Sequence, residues 1–139
     1  ERLPRLVSPP ARSVEPAPGA ASDETVIDWS ALEARFSDRL EFAAKLLRSA
    51  LDYYADTPEA LGRYVAAGDV EGVGRIAHGL KSTGGNLMAR RLRDAARQTD
   101  VEIRHGNAGA ALHLAGELRE LLCSMLNESR RWLDGRRNG

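Results

Sequence analysis

The sequence predicts an all-α fold: an antiparallel up-and-down four-helix bundle with a short extra helix at its N-terminal end. Three observations carry that prediction. From residue 27 onward apolar residues recur at three- and four-residue steps, the spacing of one helix face. No run alternates apolar and polar residues as a half-buried strand would. Hydrophobic residues make up 42% of the chain but aromatics only 5%, so the apolar content is mostly Ala and Leu, which favour helix over sheet.

Residues 1 to 24 carry five of the six prolines and almost no periodic apolar pattern, which is the composition of a Pro/Ala-rich linker. Asp28 is placed to cap a short helix, WSALEARF, that presents Trp29, Leu32 and Phe36 on one side. Ser37 or Asp38 caps the next segment, in which Phe42, Leu46, Leu47, Ala50, Leu51 and Tyr54 form the apolar stripe. Pro58 interrupts it, either as a kink or at the first position of a following helix, PEALGRYVAAG, that Gly68 stops. Asp69 then caps a long helix whose apolar positions are Val73, Ile76, Ala77, Leu80 and Leu87. The chain bends between Asn86 and Met88 into a segment with Leu92, Ala95, Ala96, Thr99 and Ile103 as its stripe, ending at Gly106. The last helix buries Leu112, Ala115, Leu118, Leu122, Met125 and Leu126, and residues 135 to 139 are expected to fray. The bundle should therefore span residues 27 to 134, with short connections that favour antiparallel neighbours.

Twenty basic side chains balance twenty acidic ones, so no global field attracts nucleic acid or an anionic membrane surface. The single Cys123 excludes an internal disulfide framework and a zinc-binding cysteine cluster, and it fits a reducing compartment. No apolar run approaches the roughly 18 residues of a membrane span. His105 and His113 lie eight residues apart across an expected loop, so no metal site is expected from them. Nor does a phosphate loop of the GxxxxGK type occur, so neither a nucleotide nor any other cofactor is expected.

His78 stands apart. On a wheel of about 100° per residue it lies roughly 150° from the centre of its helix's apolar arc and therefore points to water. Its neighbours on that face are Glu71, Gly74, Arg75, Lys81, Ser82 and Gly85, a small, polar and locally cationic set. Five glycines occupy this one helix, each unfavourable by roughly 0.8 to 1 kcal/mol relative to Ala in an exposed helix interior. Gly74, Gly79 and Gly85 fall on or near the wet side, where they lower the walls around the imidazole for an approaching macromolecule. A neutral imidazole is a competent nucleophile near neutral pH, and the lysine one turn away offers a positive charge for a phosphoryl group.

The stretch AHGLKSTGGNLMARRL resembles the signature of histidine phosphotransfer (HPt) domains, in which Ala-His-x-Leu-Lys-Gly is followed by small residues and then by Leu-Gly-Ala and a helix-starting Leu. The resemblance covers residues 27 to 134 and is most specific at His78, Leu80 and Lys81. It implies that His78 accepts a phosphoryl group from the aspartate of a response-regulator receiver domain and passes it to another, while Lys81 steadies that group. By the same resemblance the small residues Ser82 and Gly85 let the receiver approach, and Arg75 and Gly79 are expected to share that partner-binding surface. Arg90, Arg91, Arg93 and Arg97 read as a solvated face paired with Asp94 and Asp100, the alternative being that Arg90 and its neighbours steer an acidic receiver toward His78. Ser82 stands where the family more often has Gly, and Met88 replaces a usual Gly. The family's later Cys-x-x-Leu-Glu reads here as Ala96, Thr99 and Asp100, leaving open whether Asp100 or Gln98 orients the imidazole. As an isolated domain the chain would be a monomeric, cytoplasmic phosphocarrier rather than an enzyme. The linker and the start at Glu1 point to the C-terminal module of a hybrid sensor histidine kinase, its parent chain anchored in the inner membrane. The competing expectation is a non-catalytic helical adaptor that docks a receiver or another signalling partner.

Overall fold

The computed structural model describes residues 25 to 138, in which all regular structure is helical. The linker expected over residues 1 to 24 lies outside the described residues. Six helices follow one another: α1 (Trp29–Arg35), α2 (Leu40–Tyr53), α3 (Thr57–Ala67), α4 (Val70–Asn86), α5 (Arg90–Arg104) and α6 (Ala108–Asn138).

Local chemistry accounts for most of the boundaries. The Asp28 side chain accepts from the Ala31 amide at 3.1 Å and opens α1, and the Asp69 side chain accepts from the Gly72 amide at 3.0 Å and opens α4. Pro58 sits in the first turn of α3, where its missing N–H costs nothing, and Gly68 ends that helix with φ +69°. The start of α2 differs from expectation. A turn closed by the Arg39 amide on the Phe36 carbonyl at 2.8 Å puts Arg39 at the cap, so neither Ser37 nor Asp38 bonds the helix end. The bend between α4 and α5 is made by Met88 in the left-handed region, φ +58°, a conformation that costs a non-glycine residue about 1 to 2 kcal/mol. The Asp28 amide, donating to the Met88 carbonyl at 2.9 Å, helps to hold it there.

The core draws on every helix, with Leu32, Leu47, Leu61, Leu80, Leu92 and Leu122 all fully buried. α6 touches α2, α3, α4 and α5, and α4 touches α3, α5 and α6, so the two longest helices bind the body together. Within α2 the buried residues are Ala43, Ala44, Leu47 and Ala50, and Tyr54 at its C-terminal cap is buried too. Phe42, expected inward, is 42% exposed at the edge of this buried set, against the Phe36 ring at 5.8 Å and under the Arg39 guanidinium at 4.6 Å.

The segment before α1 is fastened to α6. The Glu128 carboxylate accepts from the Val26 and Ile27 amides at 2.7 and 3.0 Å and from the Trp29 indole at 3.3 Å, while Trp29 stacks on Trp132 at 5.7 Å. Charge-assisted bonds of this kind are roughly twice as strong as neutral ones. α6 then continues through residues 135 to 138, where a frayed tail was expected. Arg136 ties this end to Glu41 at 2.7 Å and lies 5.1 Å from the Trp132 ring, so the last turn has partners of its own.

Two glycine substitutions test this packing. A Cβ on Gly84 would stand 2.8 Å from the Arg93 backbone nitrogen, whereas one on Gly116 meets nothing within 4 Å. Gly84→Ala should lose about 1 to 3 kcal/mol in urea denaturation, the range for overpacking. Gly116→Ala should gain up to about 1 kcal/mol from helix propensity. Equal effects at the two sites would contradict the close approach.

Candidate functional site

Val73, Ala77, Leu80 and Gly84 turn the inner face of α4 toward the core, which leaves Arg75, His78, Ser82 and Asn86 exposed on the opposite side. His78 is in the middle of the helix, away from either end. Among the described residues its ring makes no hydrogen bond or ion pair within the chain, so both nitrogens are open to an approaching group.

Lys81, one turn further along the same face, reaches to α5 and donates to Asp100 Oδ2 at 3.0 Å. Arg104 Nη2 lies 3.2 Å from that same oxygen. The hydrogen bond from Lys81 is the main cause that holds the Asp100 carboxyl below its ordinary range; partial burial opposes it, and the charges of Lys81, Arg104 and His78 add to it in that order. The carboxylate therefore stays ionised and sits within the electrostatic reach of the imidazole. Gln98, the other residue considered as an orienter, donates instead to Glu102 at 3.0 Å.

The glycines divide by role. Gly72 and Gly84 are buried contact points: a Cβ would fall 2.7 Å from the Tyr64 ring at the first and 2.8 Å from the Arg93 backbone at the second. Gly74, expected to clear space around His78, instead faces α5, where a Cβ would come within 3.3 Å of Ile103 Cδ1. Close helix packing is thus part of its reason. Gly79 and Gly85 are half-exposed and leave room, their nearest neighbours being the Tyr54 hydroxyl at 3.5 Å and Arg93 Cδ at 3.8 Å. Ser82 is exposed beside them.

The arginine run meets its expected partners only in part. Arg93 pairs with its neighbour Asp94 at 3.1 Å, and Arg91 lines a cleft with Glu117 and Glu120 on the α6 side. Asp100 is taken by Lys81 and Arg104 rather than by the run. Arg90 is exposed ten residues before Asp100, about 15 Å along α5 at the helical rise, so the structure does not bring it to His78. Arg104 is the α5 arginine nearest the site's charges. Its spacing of four from Asp100 is a signal that the sequence carried.

On the opposite flank, α2 and α4 enclose an open groove of about 460 Å³ lined by Leu46, Tyr53, Tyr54, Thr83, Asn86 and Leu87, among others. Tyr54 shares a 2.8 Å hydrogen bond with Thr83. Burial pushes its phenol above the ordinary value, the hydrogen bond opposes this and Tyr53 adds to it, so Tyr54 is neutral near pH 7. Tyr53 is 79% exposed. A large apolar residue left outward beside a groove has no sequence signature apart from its helical phase.

No protein-family model, curated protein or solved structure matches the chain. Among the described residues no group of three His, Cys, Asp or Glu side chains is placed to hold a metal ion, and no helix is long and apolar enough to cross a membrane. His113 Nε2 lies 3.9 Å from a Glu117 carboxylate oxygen.

The lowered carboxyl of Asp100 gives a pH prediction. Its ionised form is favoured by folding, so the contribution to stability is present above the ordinary aspartate value of about 3.9 and is lost as pH falls through the lowered value. The stability difference between the parent chain and Asp100→Asn should therefore be present at neutral pH and shrink on acidification through that range. A difference independent of pH would assign Asp100 a packing role only.

Proposed function

We propose that this chain is a histidine phosphotransfer module of a two-component phosphorelay. It accepts a phosphoryl group on His78 from a receiver-domain aspartate and hands it to a response regulator. The observation that carries this reading is the solvent-facing His78 in mid-helix, free of internal hydrogen bonds, with the anchored Lys81 one turn away. A histidine retained for structure would be expected to spend its ring nitrogens on neighbours.

The scaffold in this reading is an antiparallel four-helix bundle. Its first arm is α2 and α3, broken between Tyr53 and Thr57; the others are α4, α5 and α6, and α1 closes one end. The contacts of α4 support it: Gly74, Lys81 and Gly84 meet Ile103, Asp100 and Arg93, so the numbers fall along α5 as they rise along α4. That is the order of antiparallel neighbours.

The chemistry follows from the residues. The lone pair of the unprotonated imidazole nitrogen attacks phosphorus of the receiver's acyl phosphate. An N–P bond forms, the P–O bond to the aspartate breaks, and the carboxylate leaves with the electron pair. No base is required, because the attacking nitrogen carries no proton. Onward transfer is the reverse step on a second receiver. The residues beside His78 are small or flexible, which lets a second protein bring its aspartate in line. The donor and the acceptor are receivers of response regulators or of a parent hybrid sensor histidine kinase, in the cytoplasm.

A second reading, a helical adaptor that docks a partner without chemistry, is favoured by the groove between α2 and α4 and by the exposed Tyr53. Covalency separates the two. Incubation with a panel of phosphorylated receivers should put acid-labile, base-stable label on the parent chain and none on His78→Gln, with Lys81→Ala slowed about 10- to 100-fold, the scale of one lost electrostatic contact of about 1.4 to 2.7 kcal/mol. A receiver that binds the folded chain but transfers no label would leave the adaptor.

A further inference from the structure

The lysine that would serve a phosphoryl group on His78 is already engaged. Lys81 Nζ lies 3.0 Å from Asp100 Oδ2, and Arg104 lies 3.2 Å from the same oxygen, on the same helix as the carboxylate. The Lys81 and Asp100 side chains are 29% and 19% exposed, so this pair is partly shielded, whereas Arg104 at 66% is mostly in water. Two cations thus share one carboxylate oxygen at the flank of an imidazole that has no partner of its own. Arg75, one turn before His78, is a further exposed cation on this face, and Tyr54 on the α2 side is neutral.

A phosphoryl group on His78 would change the balance. It brings a charge of about −1.5 to −2 and three acceptor oxygens, against the single charge of the carboxylate. Lys81, at three residues from His78 and on a long flexible stem, can reach either acceptor. Asp100 cannot approach the phosphoryl group, since the two repel, and once Lys81 leaves it Arg104 remains as its counter-ion. Arg104 is held within reach by the four-residue spacing on α5.

We propose that Asp100 and Arg104 are positioning residues that form a two-position holder for Lys81. With His78 unmodified, Lys81 rests on Asp100; with His78 phosphorylated, it moves to the phosphoryl oxygens and Arg104 alone neutralises Asp100. The inference rests on the phosphotransfer reading of His78 and adds its regulation. Because Lys81 must give up one ion pair to make another, it stabilises phosphohistidine less than an unengaged lysine would. The phosphoryl group is then steadied without becoming trapped, which a carrier between two receivers requires. The move itself makes and breaks only hydrogen bonds, and Lys81 keeps its protons.

The test needs no receiver. Phosphoramidate phosphorylates exposed histidines chemically: its P–N bond breaks, ammonia leaves, and an N–P bond to the imidazole forms. In a His105→Gln, His113→Gln background the modification is confined to His78. NMR then follows the Lys81 ammonium and the second ionisation of the phosphoryl group. The Lys81 signal should change its environment on phosphorylation in this background, a readout that needs no change at Lys81, Asp100 or Arg104. Asp100→Asn should lower the phosphoryl pKa by about half a pH unit, roughly a threefold loss of proton affinity, and Arg104→Ala should raise it. In a Lys81→Ala background the effect of Asp100→Asn should fall by at least about half, because Asp100 acts through Lys81. An unchanged Lys81 signal, or an equal effect of Asp100→Asn with and without Lys81, would overturn the holder. If the predicted shifts occur but no receiver delivers phosphate to His78, the holder stands as a property of the site and the relay reading falls.

Discussion

Gly84 lies at a close approach of α4 and α5, where a single side-chain carbon would stand 2.8 Å from the Arg93 backbone nitrogen. This approach fixes the level of one helix against the other. With Gly84 opposite Arg93, Lys81 falls opposite Asp100 and Gly74 opposite Ile103, so the charge cluster beside His78 is a consequence of the register. The same register commits Ala77 and Leu80 to the core and thereby turns His78 outward. Glycine here is unfavourable for the isolated helix and favourable for the pair, because the burial that the close approach allows outweighs a loss of about 1 kcal/mol in propensity.

A second constraint acts at one end of the body. Glu128 gathers two backbone amides and an indole N–H from the segment before α1, and the Trp29 and Trp132 rings stack beside it. Through the Asp28 amide this segment also holds the Met88 carbonyl, at the bend that sets where α5 begins. The end of the body and the site are thereby linked: the bend that aims α5 is supported by the segment that α6 pins. Met88 tolerates an unfavourable backbone angle because it is fixed by these neighbours.

What could be read from the sequence was whatever is local. Asp28, Pro58, Gly68 and Asp69 act on their own backbone, so their roles needed no knowledge of the fold. His78 and Lys81 are three residues apart on one helix, and helical phase alone sets both on one face. The ion pair of Lys81 with Asp100 spans 19 residues and depends on the register of two helices, which periodicity does not specify. Glu128 meets its partners about a hundred residues away in sequence. Phe42 matched the apolar pattern of α2, but small alanines at 43 and 44 shift that helix's contact stripe by one position and leave the phenylalanine at the edge. Gly135 read as the beginning of a frayed end, whereas Arg136 and Trp132 supply the contacts that carry α6 past it.

The proposed carrier makes modest demands on its protein: an imidazole with its nitrogens unspent, a cation within reach, low surroundings, and a rigid platform. The groove on the α2 side and the charges on the α5 side would give an incoming receiver one apolar and one polar flank. The central claim is that the His78 ring itself carries the phosphoryl group between proteins. Its most direct measurement is NMR of the His78 ring nitrogens, with phosphorus detection, while a phosphorylated receiver is present. A phosphoramidate signal coupled to a His78 nitrogen, appearing as the receiver's acyl phosphate disappears, is the predicted result. A receiver that stays bound while its acyl phosphate decays to free phosphate, with the His78 ring never bonded to phosphorus, would contradict the account.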